Sequence, residues 1–528
     1  MKHFTISFKP DGGHINIHSG ATLLDAAGQA GIILNTICGG KGTCKKCMVK
    51  IEPTGREVLA CQYRIQSDLT VTIPDESRFF EQKILKHGID TEIEATAAVY
   101  EKYIGKASPE KIFGIAVDIG TTTVVAKLIN MIDGQCLATE AVVNPQSRYG
   151  DDVISRISYA QNEEKLAELH RVIIDCVNDL TSKLCRKTNV DAKFIYEICV
   201  VGNTTMGHIF LKLPVSQLGQ APYKAFSLDA HDVSAERLHL EINPAGKIHT
   251  VENIAGFVGS DTTAVALAVD IDTAEKMTLV VDIGTNGELV LGTKEKLYAA
   301  SCAAGPALEG ARITCGSRAA EGAIEAVVVN EDDIDLEVIG NCPARSICGS
   351  GLIDAVAVML ELGIIDLTGR FVKPENLKGK ISPAIFSRIG EQQGEPAFVL
   401  SDSGTNGKIF LRQKDIRETQ LAKAAIRAGI KLLQNRIGLK DDDIERILLA
   451  GAFGNYIRKE SALRIGLLPD VPLERIVFVG NAASSGARMA LVSQHYRDKA
   501  RELAGKIEYV EIAHEPEFQD VFADSILF

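Results

Sequence analysis

The 528-residue sequence has no tryptophan, no net positive charge and no apolar run near the ~18 residues that a membrane span needs. Its net charge of −12 argues against a nucleic-acid partner, because phosphate binding needs a clustered basic face. The start, "MKHFTISFKPDGG", has no long apolar signal region, so we expect neither export nor a membrane partner. The predicted setting is cytoplasmic, and the twelve cysteines are expected to be thiols or metal ligands rather than disulfides.

The pattern of strands and helices divides the chain into three parts. Residues 1–76 contain the short strands "HFTISF", "HINIH", "CMVKIE" and "LTVTI" and a helix that begins near Thr22 and ends near Gly31, which predicts a small β-grasp-like domain. This part is nearly neutral, with eight Lys and Arg against seven Asp and Glu. Residues 77–110 are rich in charge and predict a helical linker. Residues 111–528 alternate apolar strands with Ala-rich helices, which predicts an α/β region of two lobes.

One motif occurs twice in the long region. "IAVDIGTTTVVAKL" at 115–128 resembles "LVVDIGTNGELVLG" at 279–292, and each has an apolar strand, Asp-Ile-Gly-Thr and a second strand. Such self-similarity predicts a duplicated architecture with a cleft between the halves.

Four cysteines of the first part form one candidate metal site. Cys38, Cys44 and Cys47 follow a C-x5-C-x2-C spacing, and thirteen residues separate Cys47 from Cys61. This spacing resembles that of [2Fe–2S] ferredoxins of the adrenodoxin-like type, and soft anionic thiolates suit iron. Structural zinc is the alternative, but it usually uses two C-x2-C pairs and this sequence has one. We therefore predict a [2Fe–2S] cluster.

A second cluster is conceivable but no C-x2-C pair supports it, and the cysteines concerned are expected to be small buried residues. They are Cys302, Cys315, Cys342 and Cys348.

The two Asp-Ile-Gly-Thr turns predict a nucleotide site. A strand that ends in this motif places a carboxylate and free N–H groups at a tight turn, where Mg²⁺ is held through water and phosphate accepts hydrogen bonds. Asp118 and Asp282 are the candidate carboxylates. The candidate phosphate-binding residues are Gly120, Thr121, Thr122 and Thr123 in the first turn and Gly284, Thr285, Asn286 and Gly287 in the second.

Three further segments complete an ordered series. "GSDTTAVALAVDI" at 259–271 and "VFVGNAASSGARMAL" at 477–491 predict small-residue helices that permit close packing, and "RILLAGAFGNYI" at 446–457 predicts a buried strand ending in a Gly-rich loop. This order resembles that of the actin, hexokinase and heat-shock ATPase superfamily. The resemblance covers about residues 111–495 and implies that Asp118, Asp261 and Asp282 are the catalytic carboxylates. It also implies an adenosine loop at Gly451, Ala452, Phe453 and Gly454.

Three assignments keep an alternative. Asp261 falls where the superfamily places a carboxylate near the attacking water, but a helix N-cap would also select Asp before "TTAVAL". "SICGSGLIDAVAVM" at 346–359 could bind an anion at its helix start or be an ordinary turn. "VVGNTTMGHIF" at 200–210 is either a structural turn or a ligand contact.

The whole chain resembles the reductive activators of corrinoid-dependent methyltransferases and O-demethylases. The resemblance rests on the ferredoxin-like start and on "VDIGTTTV", "NPQSRYGDDV", "VGNTTM" and "ICGSGLIDA". It implies an α/β multidomain protein: a β-grasp ferredoxin domain joined to a two-lobed actin-like ATPase domain whose lobes are duplicated ribonuclease-H-like folds. The tail, "EIAHEPEFQDVFADSILF", has no cysteine, which excludes the subtype with a C-terminal [4Fe–4S] domain.

The implied activity is the ATP- and Mg²⁺-dependent reduction of cob(II)alamin to cob(I)alamin on a corrinoid partner protein. A low-potential ferredoxin or flavodoxin is expected as the electron donor, and a homodimer is expected through the ATPase domain. The rival classes are an activator of a 2-hydroxyacyl-CoA dehydratase, a redox-regulated small-molecule kinase and a nucleotide switch without turnover. The fused ferredoxin-like domain counts against the first of these, and the kinase predicts a phosphorylated product.

Overall fold

The computed structural model describes residues 3–9, 14–30, 34, 42, 47–74, 77, 111–404, 407–451 and 457–528. Most of the predicted linker therefore lies outside the described residues. No helix in these ranges is long and apolar enough to cross a membrane.

The N-terminal part is a five-stranded mixed sheet with one helix. Its order is β2-β1-β5-β3-β4, and β1 and β5 run parallel while the other neighbours are antiparallel. The helix α1 covers Leu23–Gln29, and Thr22 caps it: the Asp25 backbone N–H donates to the Thr22 hydroxyl at 3.0 Å, and the Thr22 backbone N–H donates back to the Asp25 carboxylate at 3.0 Å. The strands are β1 His3–Lys9, β2 His14–His18, β3 Met48–Glu52, β4 Arg56–Leu59 and β5 Leu69–Thr72.

The first lobe of the long region has a six-stranded sheet in the order β10-β11-β9-β6-β7-β8. Its strands are β6 Phe113–Ile119, β7 Thr123–Asn130, β8 Cys136–Val143, β9 Ile195–Gly202, β10 His231–Ser234 and β11 Lys247–Thr250. Its helices are α2 Val153–Tyr159, α3 Glu163–Thr188, α4 Thr204–Phe210 and α5 Ser260–Ala268.

The second lobe repeats this plan with the order β22-β21-β12-β13-β14-β23. The strands of this sheet are β12 Thr278–Ile283, β13 Gly287–Gly292, β14 Leu297–Cys302, β21 Arg446–Ala450, β22 Ile476–Gly480 and β23 Ile507–Tyr509. Two three-stranded sheets are added to it: β15 Ala323–Val329, β16 Ile334–Val338 and β17 Ser346–Ile347, and β18 Ile389–Gln392, β19 Glu395–Gly404 and β20 Gly407–Arg412.

The helices of the second lobe fall in three groups along the chain. They are α6 Gly349–Glu361, α7 Pro374–Leu377 and α8 Pro383–Ser387, then α9 Gln413–Ile437 and α10 Lys459–Arg464, then α11 Ala482–Val492, α12 Gln494–Lys506 and α13 Phe518–Asp524.

The duplication predicted from the repeated motif is present in the strand order. In each lobe an antiparallel meander (β6-β7-β8 or β12-β13-β14) is extended by a parallel strand beside its first member (β9 or β21). The repeated motif ends β6 and β12, so both turns lie at the same end of equivalent central strands. The fold thereby brings two distant sequence segments to corresponding places.

The two lobes share a hydrophobic core built around α5 and α11. It contains Ala116 and Val201 from the first sheet and Val280 and Leu448 from the second. The small residues predicted for the two helices serve close packing, since a Cβ on Gly486 of α11 would lie 2.1 Å from the Ala264 carbonyl oxygen of α5. These helices fix the spacing of the lobes at the base of the cleft.

Candidate functional site

Each of the two Asp-Ile-Gly-Thr turns is closed by a backbone hydrogen bond from its glycine. Gly120 N–H donates to the Thr123 carbonyl at 2.9 Å, and Gly284 N–H donates to the Asn286 carbonyl at 2.9 Å. Asp118 and Asp282 precede these turns on β6 and β12.

A cavity of about 220 Å³ lies between the two turns. Ten of the predicted nucleotide-site residues line it: Asp118, Gly120, Thr121, Thr122, Thr123, Asp261, Asp282, Gly284, Thr285 and Asn286. Gly451 lines it as well, whereas Ala452, Phe453 and Gly454 lie outside the described residues. Gly287 begins β13, where an added Cβ would lie 2.8 Å from Ile426 of α9, and it is not part of the lining.

Four carboxyl groups lie close together in this cavity, where their negative charges repel one another. Burial raises the pKa of Asp118 to about 7, with further contributions from the charges of Asp261 and Asp282. Burial raises the pKa of Asp282 to about 7 and that of Asp261 to about 6, and it raises the pKa of Glu288 well above its usual value. Such crowding of like charges is stable when a cation neutralises it, which fits Mg²⁺ beside phosphates.

The carboxyl groups do not form a closed protein cage. Among the described ranges no group of three or more His, Cys, Asp or Glu side chains has the arrangement of a directly ligated metal. Mg²⁺ normally keeps several waters and takes one or two carboxylates together with phosphate oxygens, so the predicted mode of binding does not require three protein ligands.

Asp261 belongs to the first turn of α5 but does not cap it. Gly259 occupies the N-cap position, and Asp261 accepts a hydrogen bond from the adjacent Thr262 N–H at 2.8 Å. The N-cap alternative from the sequence is therefore wrong. The remaining role of Asp261, near an attacking water, stays a prediction that its place in the cavity lining supports.

Gly451 and Asn481 complete the acidic side of the cavity. Gly451 has a φ of +86°, and an added Cβ would lie 2.3 Å from Asp282 Oδ1, so only glycine fits there. Asn481 hydrogen-bonds the Asp118 carboxylate, which lowers the pKa of that group, and it caps α11 by accepting from Ser484 N–H at 2.9 Å.

The first phosphate turn accepts hydrogen bonds from asparagines of two motifs to which the sequence analysis gave no definite role. Asn144 Nδ2, from "NPQSRYGDDV", donates to the Gly120 carbonyl at 2.8 Å. Asn203 Nδ2, from "VGNTTM", donates to the Thr121 hydroxyl at 3.0 Å, and Asn203 lines the cavity. Arg156 is fully buried and donates to the Thr121 carbonyl at 2.5 Å and the Gly150 carbonyl at 2.9 Å.

The N-terminal domain places two of the predicted cluster ligands together. The sulfurs of Cys47 and Cys61 are 3.3 Å apart, both residues are buried, and they are not joined in a disulfide. Two neighbouring thiols of this kind are what the ligand set of one [2Fe–2S] cluster requires. Gln62 Nε2 donates to Cys61 Sγ at 3.7 Å. Gly42 has a φ of +76°, and a Cβ added there would lie 3.0 Å from Gln62 Cγ. Cys38 and Cys44 lie outside the described residues.

The cysteines considered for a second cluster contact separate carbonyl groups. Cys315, Cys342 and Cys348 approach the carbonyl oxygens of Lys408, Ile339 and Ile324 at 3.9, 3.7 and 3.3 Å. No metal-binding group that includes them is found within the described part of the chain.

Three family models match the N-terminal part and the two lobes of the long region. The model of the 2Fe-2S iron-sulfur cluster binding domain matches residues 8–66, that of the RACo middle region matches residues 113–274, and that of the C-terminal ASKHA domain of RACo matches residues 276–528. The sequence is 35% identical over 581 aligned positions to the corrinoid activation enzyme RamQ of Eubacterium limosum, covering 97% of each chain. The chain belongs to the RACo family of reductive activators.

Two further relatives agree with this assignment. A [Co(II) methylated amine-specific corrinoid protein] reductase of Methanosarcina barkeri is 26% identical over 430 positions, which cover 75% of this chain and 73% of that protein. The solved structure of a reductive activator for a corrinoid, iron-sulfur protein superposes with a TM-score of 0.72 at 31% identity, covering 99% of this chain and 98% of that one. The predicted fold class and the [2Fe–2S], ATP and Mg²⁺ cofactors are thereby confirmed.

Several cavity residues of this RACo-family chain were not predicted from the sequence. Glu309 and Arg318 enter from the segment after β14, and Glu288 follows the second turn on β13. The start of α6 faces the cavity, which is lined by Cys348, Gly349 and Ser350. This position supports the interpretation that "SICGSGLIDAVAVM" binds an anion at its helix start. Motif reasoning missed Glu309 and Arg318 because both lie outside the repeated Asp-Ile-Gly-Thr motif and outside the ordered series of segments.

Proposed function

We propose that this protein reduces the cobalt of a corrinoid partner protein from cob(II)alamin to cob(I)alamin, one electron at a time, coupled to ATP hydrolysis. The observation that carries the proposal is the joining, in one chain, of the Cys47–Cys61 thiol pair and the acidic cavity between two phosphate turns. RamQ is a corrinoid activation enzyme and the Methanosarcina relative is a corrinoid protein reductase, and both support the same activity. They favour it over the kinase and dehydratase-activator alternatives.

When bound, the cluster supplies one-electron chemistry and Mg²⁺-ATP supplies a hydrolysable phosphate bond. In the N-terminal domain, Cys38, Cys44, Cys47 and Cys61 would hold the cluster, and Gln62 would donate a hydrogen bond to the Cys61 sulfur.

In the cavity, Asp118 and Asp282 would hold the cation through its waters, and the hydroxyl and N–H groups of the two turns would receive the phosphates. Asp261 would orient the attacking water from the start of α5. Because the turns belong to different lobes, bound phosphate and its hydrolysis would bias the separation of the lobes.

ATP is needed because reducing an acceptor of lower potential is unfavourable by a factor of ten for each ~59 mV in a one-electron step. We propose that hydrolysis resets the complex with the corrinoid partner so that the electron does not return. A low-potential ferredoxin or flavodoxin is the proposed donor, and the cytoplasm is the proposed location. We also propose a homodimer through the ATPase domain, which sedimentation over a range of protein concentrations would test.

The deciding experiment is anaerobic. The reduced protein is mixed with a Co(II) corrinoid protein, and the visible spectrum is followed with MgATP, without nucleotide and with a non-hydrolysable analogue. We expect Co(I) to accumulate only with MgATP and to be lost in a Cys61→Ser variant. Equal Co(I) formation without ATP would contradict the coupling, and transfer of phosphate to a small molecule would favour a kinase.

A further inference from the structure

Glu309 connects the two phosphate turns across the cleft. Its Oε2 accepts a hydrogen bond from the Thr122 hydroxyl of the first lobe at 3.1 Å. Its Oε1 accepts from the Thr285 hydroxyl of the second lobe at 2.8 Å, and the two hydroxyl oxygens are 3.3 Å apart. All three residues line the cavity, so this bridge lies where the nucleotide phosphates are expected.

The backbone around Glu309 is built to hold it there. Glu309 ends a short 3₁₀ turn, Pro306–Glu309, between Gly305 with a φ of +75° and Gly310 with a φ of +78°. A Cβ on Gly310 would lie 2.1 Å from the Ser317 carbonyl oxygen, so the chain packs tightly on itself directly after Glu309. The carboxylate is thus presented by a fixed turn.

The two threonine hydroxyls cannot donate to Glu309 and to a bound phosphate at the same time, so the bridge and phosphate binding exclude each other. Each threonine hydroxyl has one proton and can donate one hydrogen bond at a time. In the bridge both protons go to Glu309, so neither is available to a phosphate oxygen. The two anions would also repel each other at this distance.

We propose that Glu309 is an internal competitor of the nucleotide phosphate: it bridges Thr122 and Thr285 in the nucleotide-free protein and is displaced when phosphate takes their hydroxyl protons. This inference rests on the proposed function, because it assumes that the phosphates of ATP occupy the cavity. Arg318, which lines the same cavity and interacts electrostatically with Glu309, is the cation beside the displaced carboxylate.

The proposed competition predicts in which direction Glu309→Gln changes the affinity for MgATP. Hydrogen bonds to an ionised acceptor are about twice as strong as neutral ones, so Glu309→Gln keeps the shape of the bridge but weakens it. When only a fraction of the protein is in the binding-competent state, the apparent Kd equals the intrinsic Kd divided by that fraction. Weakening the bridge should therefore tighten MgATP binding, and we expect the Kd to fall by about tenfold, the effect of one lost charge-assisted bond.

The test measures the Kd for MgATP by titration calorimetry on the full chain. The control is Glu337→Gln, which removes the same charge from an exposed position on β16. Glu309→Asp retains the charge but is too short to reach both hydroxyls, so it should also bind MgATP more tightly. Thermal unfolding of each variant checks that it is folded.

Each result bears on the inference separately from the proposed function. An unchanged or higher Kd in Glu309→Gln would overturn it, because a purely structural bridge would be damaged by the change. Tightening in Glu309→Gln but not in Glu309→Asp would also overturn it, since simple charge repulsion would then suffice. MgATP binding without any corrinoid reduction would overturn the proposed function alone, and a wild-type protein that binds no MgATP would overturn both.

Discussion

The close approach of α5 and α11 gives the sharpest test of how the lobes are joined. Replacing Gly486 by alanine would place a Cβ 2.1 Å from the oxygen, 2.6 Å from the carbonyl carbon and 2.7 Å from the Cα of Ala264. All three atoms belong to the backbone of the opposing helix, so no side chain can turn aside to make room. The helices would have to separate by more than 1 Å to restore ordinary contact at about 3.4 Å.

The magnitude follows from two opposing effects. Forcing an extra carbon into a well-packed core costs about 1–3 kcal/mol, while alanine in a helix gains about 1 kcal/mol over glycine. Gly486→Ala should therefore lower the free energy of unfolding by up to roughly 2 kcal/mol. Gly505→Ala is the matched control, because Gly505 lies in α12 with no atom within 4 Å of the added Cβ. The control should be slightly stabilised, by up to ~1 kcal/mol.

The assay is thermal unfolding of both variants beside the wild type, with the MgATP Kd measured in parallel. Gly486→Ala should melt at a lower temperature, by up to about 2 °C. It should also bind MgATP more weakly, since α5 carries Asp261 and Asn481 precedes α11, so separating the helices moves both groups at the cavity. If Gly486→Ala melts at or above the temperature of Gly505→Ala, the close contact does not determine how the lobes pack and the reasoning fails.

Three other outcomes are expected. Cys61→Ser should lose the iron and the visible spectrum of the cluster but keep the wild-type Kd for MgATP, whereas Cys342→Ser, the control, should keep both. Asp282→Asn should weaken MgATP binding. With a chelator present, Asp282 by itself should lower the stability of the wild type as the pH rises from about 4 to about 7, because its raised pKa means that this group binds more protons in the folded state than in the unfolded one. The change of stability between pH 5 and pH 8 should therefore be less unfavourable in the variant than in the wild type, as thermal unfolding would show. His208 is buried with its pKa lowered to about 4, so the unfolded state binds more protons at this residue below pH 6.5, and His208 by itself should lower the stability by roughly 2 kcal/mol between pH 7 and pH 5, against the opposite contribution of the buried carboxyl groups. A His208→Gln variant should lose less over that range in urea unfolding, and an equal loss would contradict the assignment.

Local patterns in the sequence were enough to predict the elements that carry the site. The Asp-Ile-Gly-Thr repeat located the ends of β6 and β12, because glycine and small hydroxyl residues directly after an apolar run are typical of a turn at the end of a buried strand. The small residues of 259–271 and 477–491 predicted a close helix pair, which Gly486 and Ala264 form. Thr22 predicted the start of α1, since its hydroxyl caps that helix.

Residues that act through distant contacts could not be found in this way. Glu309 is 187 positions from Thr122, and Asn203 is 82 positions from Thr121, so no local pattern links the partners. Arg156 looks like any helical arginine in the sequence, yet it is fully buried, and burial lowers its pKa to about 9. Its contact with the Thr121 carbonyl depends on how α2 packs against the turn, which only the tertiary structure determines.

The segment that follows Asn481 shows how a change at the cavity would reach both lobes. The chain leaves β22 of the second lobe, packs α11 against β6 and β9 of the first, and returns to pair β23 with β14 of the second. Between these points α12 is fixed to the first lobe by Arg497, which donates to Glu197 of β9 at 2.8 Å with both side chains buried, and by Lys499, which pairs with Asp270 at 2.8 Å.

A buried ion pair that loses one partner costs several kcal/mol, so α12 should move with the first lobe while β23 moves with the second. Relative motion of the lobes must then be absorbed at the two ends of this segment, near Ser493 and near Ile507. Asn481, at the entry to the segment, hydrogen-bonds Asp118, and so a cation or phosphate that changes the charge of Asp118 acts directly on the chain that joins the lobes. The acidic cavity is therefore mechanically connected to both lobes through one continuous stretch of backbone, which is the arrangement that coupling ATP hydrolysis to a change in lobe separation requires.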